Sequence, residues 1–270
     1  MEQSILLWLA IVACGVVIGI LSSMFGIGGG TIMVPLIHVA LGQPAAAASG
    51  TSLFCILPTS ISGMVARLHD GTVNFKMGLA IGVVGALFSP LGAVAATYLP
   101  GVYAILLTSV CILFSAYKQF SRVWKTRASA TGGSAGAEGD AMLAHVAGAQ
   151  FFVCAGTLGA LVGFLSGYLG LGGGFLVVPL LQVLFGFTTK QATGTSLVAV
   201  ACFAVPSFVT HAILGNIRWA IGLLLIAGSL VGTRIGAVLI KRLDDRLLTL
   251  LFGIFLVCVG LFMAFQEIAG

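Results

Sequence analysis

Two stretches, "FGIGGGTIMVP" at Phe25–Pro35 and "LGLGGGFLVVP" at Leu169–Pro179, each set three consecutive glycines inside apolar sequence. Glycine in a helix interior costs about 1 kcal/mol relative to alanine. Three in a row predict that a helix breaks there and restarts near Thr31 and near Phe175. Each restart leaves backbone N–H groups without intrahelical acceptors, at the positive end of the helix dipole. The segment after the first triplet, Thr31–Leu41, would be about 16 Å long as a helix, roughly half a bilayer core.

The surroundings of both stretches are those of a membrane protein. The chain is 59% hydrophobic and only 7% charged, where a soluble domain is about a quarter charged. Apolar runs such as Ile5–Leu21, Met77–Leu99 and Leu247–Phe265 match the roughly 20 residues that cross a bilayer as a helix. They are apolar on every face, without the period of two of a transmembrane barrel, so an all-α polytopic helical bundle is expected. The start, "MEQSILLWLA", lacks a basic region and a small-residue cleavage site and reads as a retained first span. The net charge of +5 forms no basic stripe with aromatics, which disfavours nucleic acid. The six cysteines (Cys14, Cys55, Cys111, Cys154, Cys202 and Cys258) lie in apolar runs with no C-x-x-C pair. They read as small packing residues, not a metal centre.

Working outward again, the chain repeats itself at a shift of 144 residues. Gly26, Gly28–Gly30 and Val34–Leu36 fall on Gly170, Gly172–Gly174 and Val178–Leu180. "GTSL" at Gly50 falls on "GTSL" at Gly194. A first repeat over 1–120 and a second over 142–270 follow, joined by a small, polar, glycine-rich stretch, 121–141, read as a flexible cytoplasmic loop. Each half contains five hydrophobic segments: roughly 4–22, 24–42, 45–66, 76–99 and 101–120, then 142–166, 168–186, 189–211, 218–240 and 247–267. If the glycine segments cross the membrane, all Lys and Arg residues except Arg218 lie on the cytoplasmic side. If they dip in and return, the charges divide almost evenly. The positive-inside rule therefore favours a duplicated inverted-topology repeat of 5+5 segments, while four spans per half stay open, giving 8–10 spans.

Inverted repeats bring two broken helices to the midplane from opposite sides, a recurring transporter design. Exposed amide ends there suit an anion. Backbone donors are expected from Gly28, Gly29, Gly30 and Thr31, and from Gly172, Gly173 and Gly174. Hydroxyls are expected from Thr51, Ser52, Thr195 and Ser196, although such groups also bond to helix carbonyls. His38 and Gln182 occupy one repeat position, eight residues past each triplet, and are candidates for substrate or proton contact. Arg234, in "GTRIGA", is a candidate countercharge at the cytoplasmic mouth. Gly15/Gly19 and Gly159/Gly163 suit close helix packing. The acidic residues, Glu2, Asp70, Glu138, Asp140, Asp244, Asp245 and Glu267, lie in loops or near termini, which disfavours a carboxylate-lined cation path. His38, His69, His145 and His211 show no H-E-x-x-H spacing, so a membrane-embedded enzyme is the weaker alternative. No catalytic residue, metal or cofactor is expected.

The duplicated G-x-G-G-G-x-x-x-V-P-x-L, each copy followed by "GTSL", resembles the TauE/SafE sulfite-exporter family, also called the toluene sulfonate uptake permease family. The resemblance covers nearly the whole chain apart from the central loop. It implies a multi-pass bacterial inner-membrane transporter for sulfite, sulfonates or similar small anions. The expected function is export of such an anion by alternating access around a midplane site. Another small anion, such as a carboxylate, is the alternative. The expected partners are that anion and the lipid bilayer, with a homo-oligomer left open.

Overall fold

A computed structural model describes residues 2–68, 70–98, 110, 112–121 and 149–269. The expected central loop lies outside them from Arg122 onward, as do His69, Cys111 and His145. The described residues are helical throughout, with short turns: α1 (Glu2–Phe25), α2 (Gly30–Pro35, prolonged by a π-helical turn, Leu36–Ala40), α3 (Ala45–Leu68), α4 (Phe75–Tyr98), a helical segment at 112–121, α5 (Ala149–Leu169), α6 (Gly174–Phe185), α7 (Thr189–Ile213), α8 (Trp219–Arg242) and α9 (Asp245–Ala269). Six of these are long and apolar enough to cross a membrane: α1, α3, α4, α7, α8 and α9. Gly30–Ala40, Ala155–Leu169 and Gly174–Phe185 are shorter apolar helices. Large apolar side chains such as Leu6, Leu87, Leu161, Ile213 and Phe265 are exposed on the outside of the bundle, where lipid takes the place of water as solvent.

Both triplets interrupt the helix, as expected. Gly26, Gly28 and Gly29, and likewise Gly170, Gly172 and Gly173, have φ between 66° and 88°, a region that other L-residues enter only at a cost. The last glycine of each triplet, Gly30 or Gly174, is already the first residue of the restarted helix. The restart is thus one residue earlier than expected, because only the first two glycines of each triplet need the left-handed conformation. Pro35 lies where α2 gives way to the π-helical turn; Pro179 is carried inside an α-helix that continues to Phe185.

Small residues let the long helices touch backbone to backbone, which drives association where the surroundings are as apolar as the side chains. A methyl group on Gly19 would lie 2.3 Å from Ser229 O, and one on Gly236 would lie 2.5 Å from Ile20 O. Residue numbers rise together across this contact, so α1 and α8 run parallel. The same holds for α4 and α5, where a methyl on Gly85 would lie 2.7 Å from Gly159 O and one on Gly92 would lie 2.0 Å from Phe164 O. Gly15/Gly19 and Gly159/Gly163 sit in these two seams. The helix α3 runs parallel to α8, with Cys55 Sγ donating to Gly222 O and Ser62 Oγ bonded to Thr233 Oγ1 at 3.0 Å. It runs antiparallel to α7, since Gly50 approaches His211 while Gly63 approaches Leu197. The helix α7 in turn runs parallel to α4, with Gly78 against Thr195 and Gly82 against Ala199. Hence α1, α3 and α8 point one way, and α4, α5 and α7 the other.

The connections are fixed by local chemistry. Thr188 and Gln191 form a capping box at the start of α7. The Asp245 carboxylate accepts from the Thr189 and Lys190 amides at 3.0 and 2.9 Å, a negative charge at the positive end of that helix.

Candidate functional site

The two glycine turns meet at half-height in the bundle. A methyl on Gly28 would lie 2.7 Å from Val200 Cγ1 and 3.0 Å from Ile56 Cγ2; one on Gly172 would lie 3.0 Å from Ile56 Cδ1 and 3.3 Å from Val200 Cγ1. Ile56 and Val200 stand near the middle of α3 and α7, so both turns are clasped at the centre of the antiparallel α3–α7 pair. There Leu53, Ile56, Val200 and Ala204 form a buried cluster. The helix starts face each other: a methyl on Gly30 would lie 2.6 Å from Leu171 O, and one on Gly174 would lie 2.5 Å from Gly26 O. Residues 22–31 and 165–175 are buried along their whole length.

Hydroxyls from the "GTS" sequences tie each turn to the opposite half. Ser52 Oγ donates to Gly170 O at 2.8 Å, and Ser196 Oγ donates to Gly26 O at 2.7 Å. These bonds occupy carbonyls that the glycine conformation turns out of the helix. Thr51 Oγ1 donates to Ala47 O and accepts from the Arg218 amide at 2.9 Å, while Thr195 Oγ1 accepts from the Asn74 amide at 3.0 Å. Arg218 and Asn74 are separated by the same 144 residues as the two halves, so the serine–carbonyl bonds and the amide–threonine bonds each have a counterpart in the other half.

The structure thus brings together Gly28–Gly30, Gly172–Gly174, Ser52 and Ser196 around one centre, with Thr51 and Thr195 bonded to the chain that leads into α8 and α4. Thr31 is buried with its Oγ1 unpartnered, beside an apolar groove of about 510 Å³ that Phe255 and Phe262 also line. His38 and Gln182 lie farther along their half-helices. His38 Nδ1 is bonded to Gln43 O at 2.7 Å. Gln182 accepts from Gln119 Nε2 at 2.7 Å and donates to Thr189 Oγ1 at 3.0 Å, inside a polar cluster on α6, α7 and α9. Arg234 is exposed on α8, away from the turns.

Other polar groups at the turns lie outside the glycine and G-T-S motifs. Ser22 and Ser166, again 144 residues apart, are buried with no partner for Oγ. A methyl on Gly29 would lie 3.5 Å from Ser22 Cβ, and one on Gly173 would lie 3.3 Å from Ser166 Cβ. Ser60 Oγ, also unpartnered, lies 3.1 Å from the corresponding point on Gly28. A buried hydroxyl without a partner costs about 1–3 kcal/mol, so three of them around two sets of helix-start amides make a cluster of donors lacking an acceptor. The sequence does carry a signal for two of them, since Ser22 and Ser166 match across the repeat.

Comparison with known proteins agrees with this architecture. A family model described as "Sulfite exporter TauE/SafE" matches residues 11–263. The probable membrane transporter protein YunE of Bacillus subtilis is 27% identical, over 96% of this chain and 97% of its own length. A probable membrane transporter protein of Xylella fastidiosa is 25% identical over 95% and 94%. The probable membrane transporter protein MJ0441 of Methanocaldococcus jannaschii is 22% identical over 97% of both. No solved structure matches the chain. With six helices among the described residues long and apolar enough to cross a membrane, and a match over nearly its whole length, the chain is a multi-pass membrane transporter belonging to the TauE/SafE sulfite-exporter family.

Proposed function

We propose that the protein exports a small sulfur oxyanion or organosulfonate by alternating access around the two glycine turns. The observation that carries this reading is the meeting of two buried helix starts, surrounded by the unpartnered hydroxyls of Ser22, Ser60 and Ser166. Donors of this kind hold an oxyanion without a fixed positive charge, which suits a ligand that must also leave. The hydroxyls of Ser52 and Ser196 hold the turns in place; Gly28–Gly30 and Gly172–Gly174 supply the amides.

In this proposal the halves form an inverted-topology repeat. The opposite directions of α1 and α5, and the pairing of each with the third long helix of the other half, support it. Rocking of one half against the other would expose the centre to each side in turn. With α3 ending on the cytoplasmic face, an anion moving outward gains about 2.3 kcal/mol per charge per 100 mV of inside-negative potential. Passive export is then sufficient. A carboxylate meets the same donors, so discrimination rests on the number of oxygens the centre can satisfy.

The test is flux from proteoliposomes loaded in turn with sulfite, thiosulfate, taurine, sulfoacetate or acetate. Flux of a sulfur anion, abolished by Gly29→Val and Gly173→Val while both variants still insert, is the expected result. Unchanged flux in both variants would remove the turns as the site. Flux of acetate alone would move the substrate to the carboxylates.

A further inference from the structure

A second polar centre lies at the end of α3. Arg67 is 1% exposed, in the last turn of that helix. Its Nη1 donates to Thr193 Oγ1 at 2.8 Å, while Nε and Nη2 have no partner. Arg67 lines a cavity of about 220 Å³ together with Asp70, Thr72, Lys190 and Lys241. The single carboxylate in this wall, Asp70, is bonded to Lys241 Nζ at 2.8 Å. Among the described residues no carboxylate lies within 4.0 Å of Arg67. The wall therefore carries three cations against one anion.

An arginine is not left buried and unpaired without cost, because removal of a full charge from water costs several kcal/mol unless an opposite charge replaces the lost hydration. Nε and one Nη of a guanidinium form a planar fork that fits two oxygens of one oxyanion. In Arg67 that pair is Nε and Nη2, the two nitrogens left open. Lys190, half-buried, and Lys241, exposed, add their charges to the same wall.

We propose that this cavity is an anion-binding site in its own right, taking a small oxyanion of at least one negative charge, with Arg67 as the bidentate donor and Lys190 and Lys241 completing the charge. It is separate from the glycine turns, and its occupancy does not depend on the turns being the transport site. The two centres are nevertheless adjacent in the chain of hydrogen bonds. Thr193, which holds Arg67, also accepts through its carbonyl from Ser196 Oγ, the group that ties down Gly26. An anion captured here is therefore placed next to the turn. The equivalent position in the other half, 144 residues on, is His211, so the fixed charge stands at one end of the bundle only.

The experiment is equilibrium titration of the purified full-length protein in detergent with sulfate, in a chloride-free gluconate buffer. Wild type should bind, and Arg67→Lys, which keeps the charge but loses the fork, should weaken binding at least about tenfold. The double variant Lys190→Gln/Lys241→Gln should weaken it by a similar factor without touching the buried guanidinium, so the proposal does not rest on a single buried substitution. Gly156→Ala, which lies outside both centres and meets nothing within 4 Å, should leave sulfate affinity within about twofold. Sulfate affinity unchanged in both Arg67→Lys and the lysine double variant would overturn the proposal. So would the absence of binding by wild type.

Discussion

Adding one methyl group to Gly30 or Gly174 tests the head-to-head geometry directly. Neither residue has positive φ, so alanine meets no backbone strain and gains about 1 kcal/mol of helix propensity. What it meets instead is the opposite turn: Leu171 O and C at 2.6 Å from a methyl on Gly30, and Gly26 O at 2.5 Å and Ile27 Cα at 2.6 Å from a methyl on Gly174. These are backbone atoms clasped by Ile56 and Val200, with no flexible end to swing away. Overpacking of a close-packed interior costs about 1–3 kcal/mol, and rigid backbone places these cases at the upper end. The net loss expected is about 2 kcal/mol, a fall in Tm of roughly 4–8 °C at 2–4 °C per kcal/mol. The two turns must also separate. Anion flux from proteoliposomes should therefore fall below about a tenth of wild type in both variants, by way of the electrostatic and hydrogen-bonding geometry they share. Gly71→Ala is the control. It has φ of 63° and nothing within 4 Å of the added methyl, so it bears strain of about 1–2 kcal/mol while leaving the centre intact. It should lose stability and keep its flux. Wild-type flux and Tm in Gly30→Ala and Gly174→Ala would refute the head-to-head contact as the working centre.

Other substitutions probe the remaining contacts. Ser52→Ala and Ser196→Ala each leave a buried glycine carbonyl without its donor and should cost about 1–3 kcal/mol in thermal unfolding; because both brace the same pair of turns, the double variant should deviate from additivity. Gly232→Leu should prevent α1 from seating on α8, since even a methyl there would lie 2.1 Å from Val16 O. The amount of protein in membrane fractions should collapse, while Gly156→Leu, with nothing within 4 Å, should accumulate normally. Asp245→Ala removes the carboxylate that caps the Thr189 and Lys190 amides and should lower stability by about 1 kcal/mol. Lys241→Ala breaks a pair whose side chains are 51% and 23% exposed, so its stability should stay within about 1 kcal/mol of wild type.

The membrane class, the helical architecture, the breaks at Gly26–Gly29 and Gly170–Gly173 and the repetition of the chain were all legible in the amino-acid sequence. They depend on properties that neighbouring residues carry by themselves. Hydropathy over 20 residues commits a segment to lipid, and consecutive glycines weaken a helix wherever they stand. Which hydroxyls are spare was not legible. Thr51, Ser52, Thr195 and Ser196 have the conspicuous motif, yet all four are already bonded to protein groups more than 100 positions away. Ser22, Ser60 and Ser166, outside the glycine and G-T-S motifs, are among those without partners. Nothing in the sequence singles out Arg67, whereas Arg234 stands inside a hydrophobic segment. Packing reverses them, burying Arg67 beneath α7 and leaving Arg234 exposed on α8. A side chain's type is local, but its burial and its partners are set by whichever distant helix comes to lie against it, and that is decided only when α3, α7 and α8 close around the two turns.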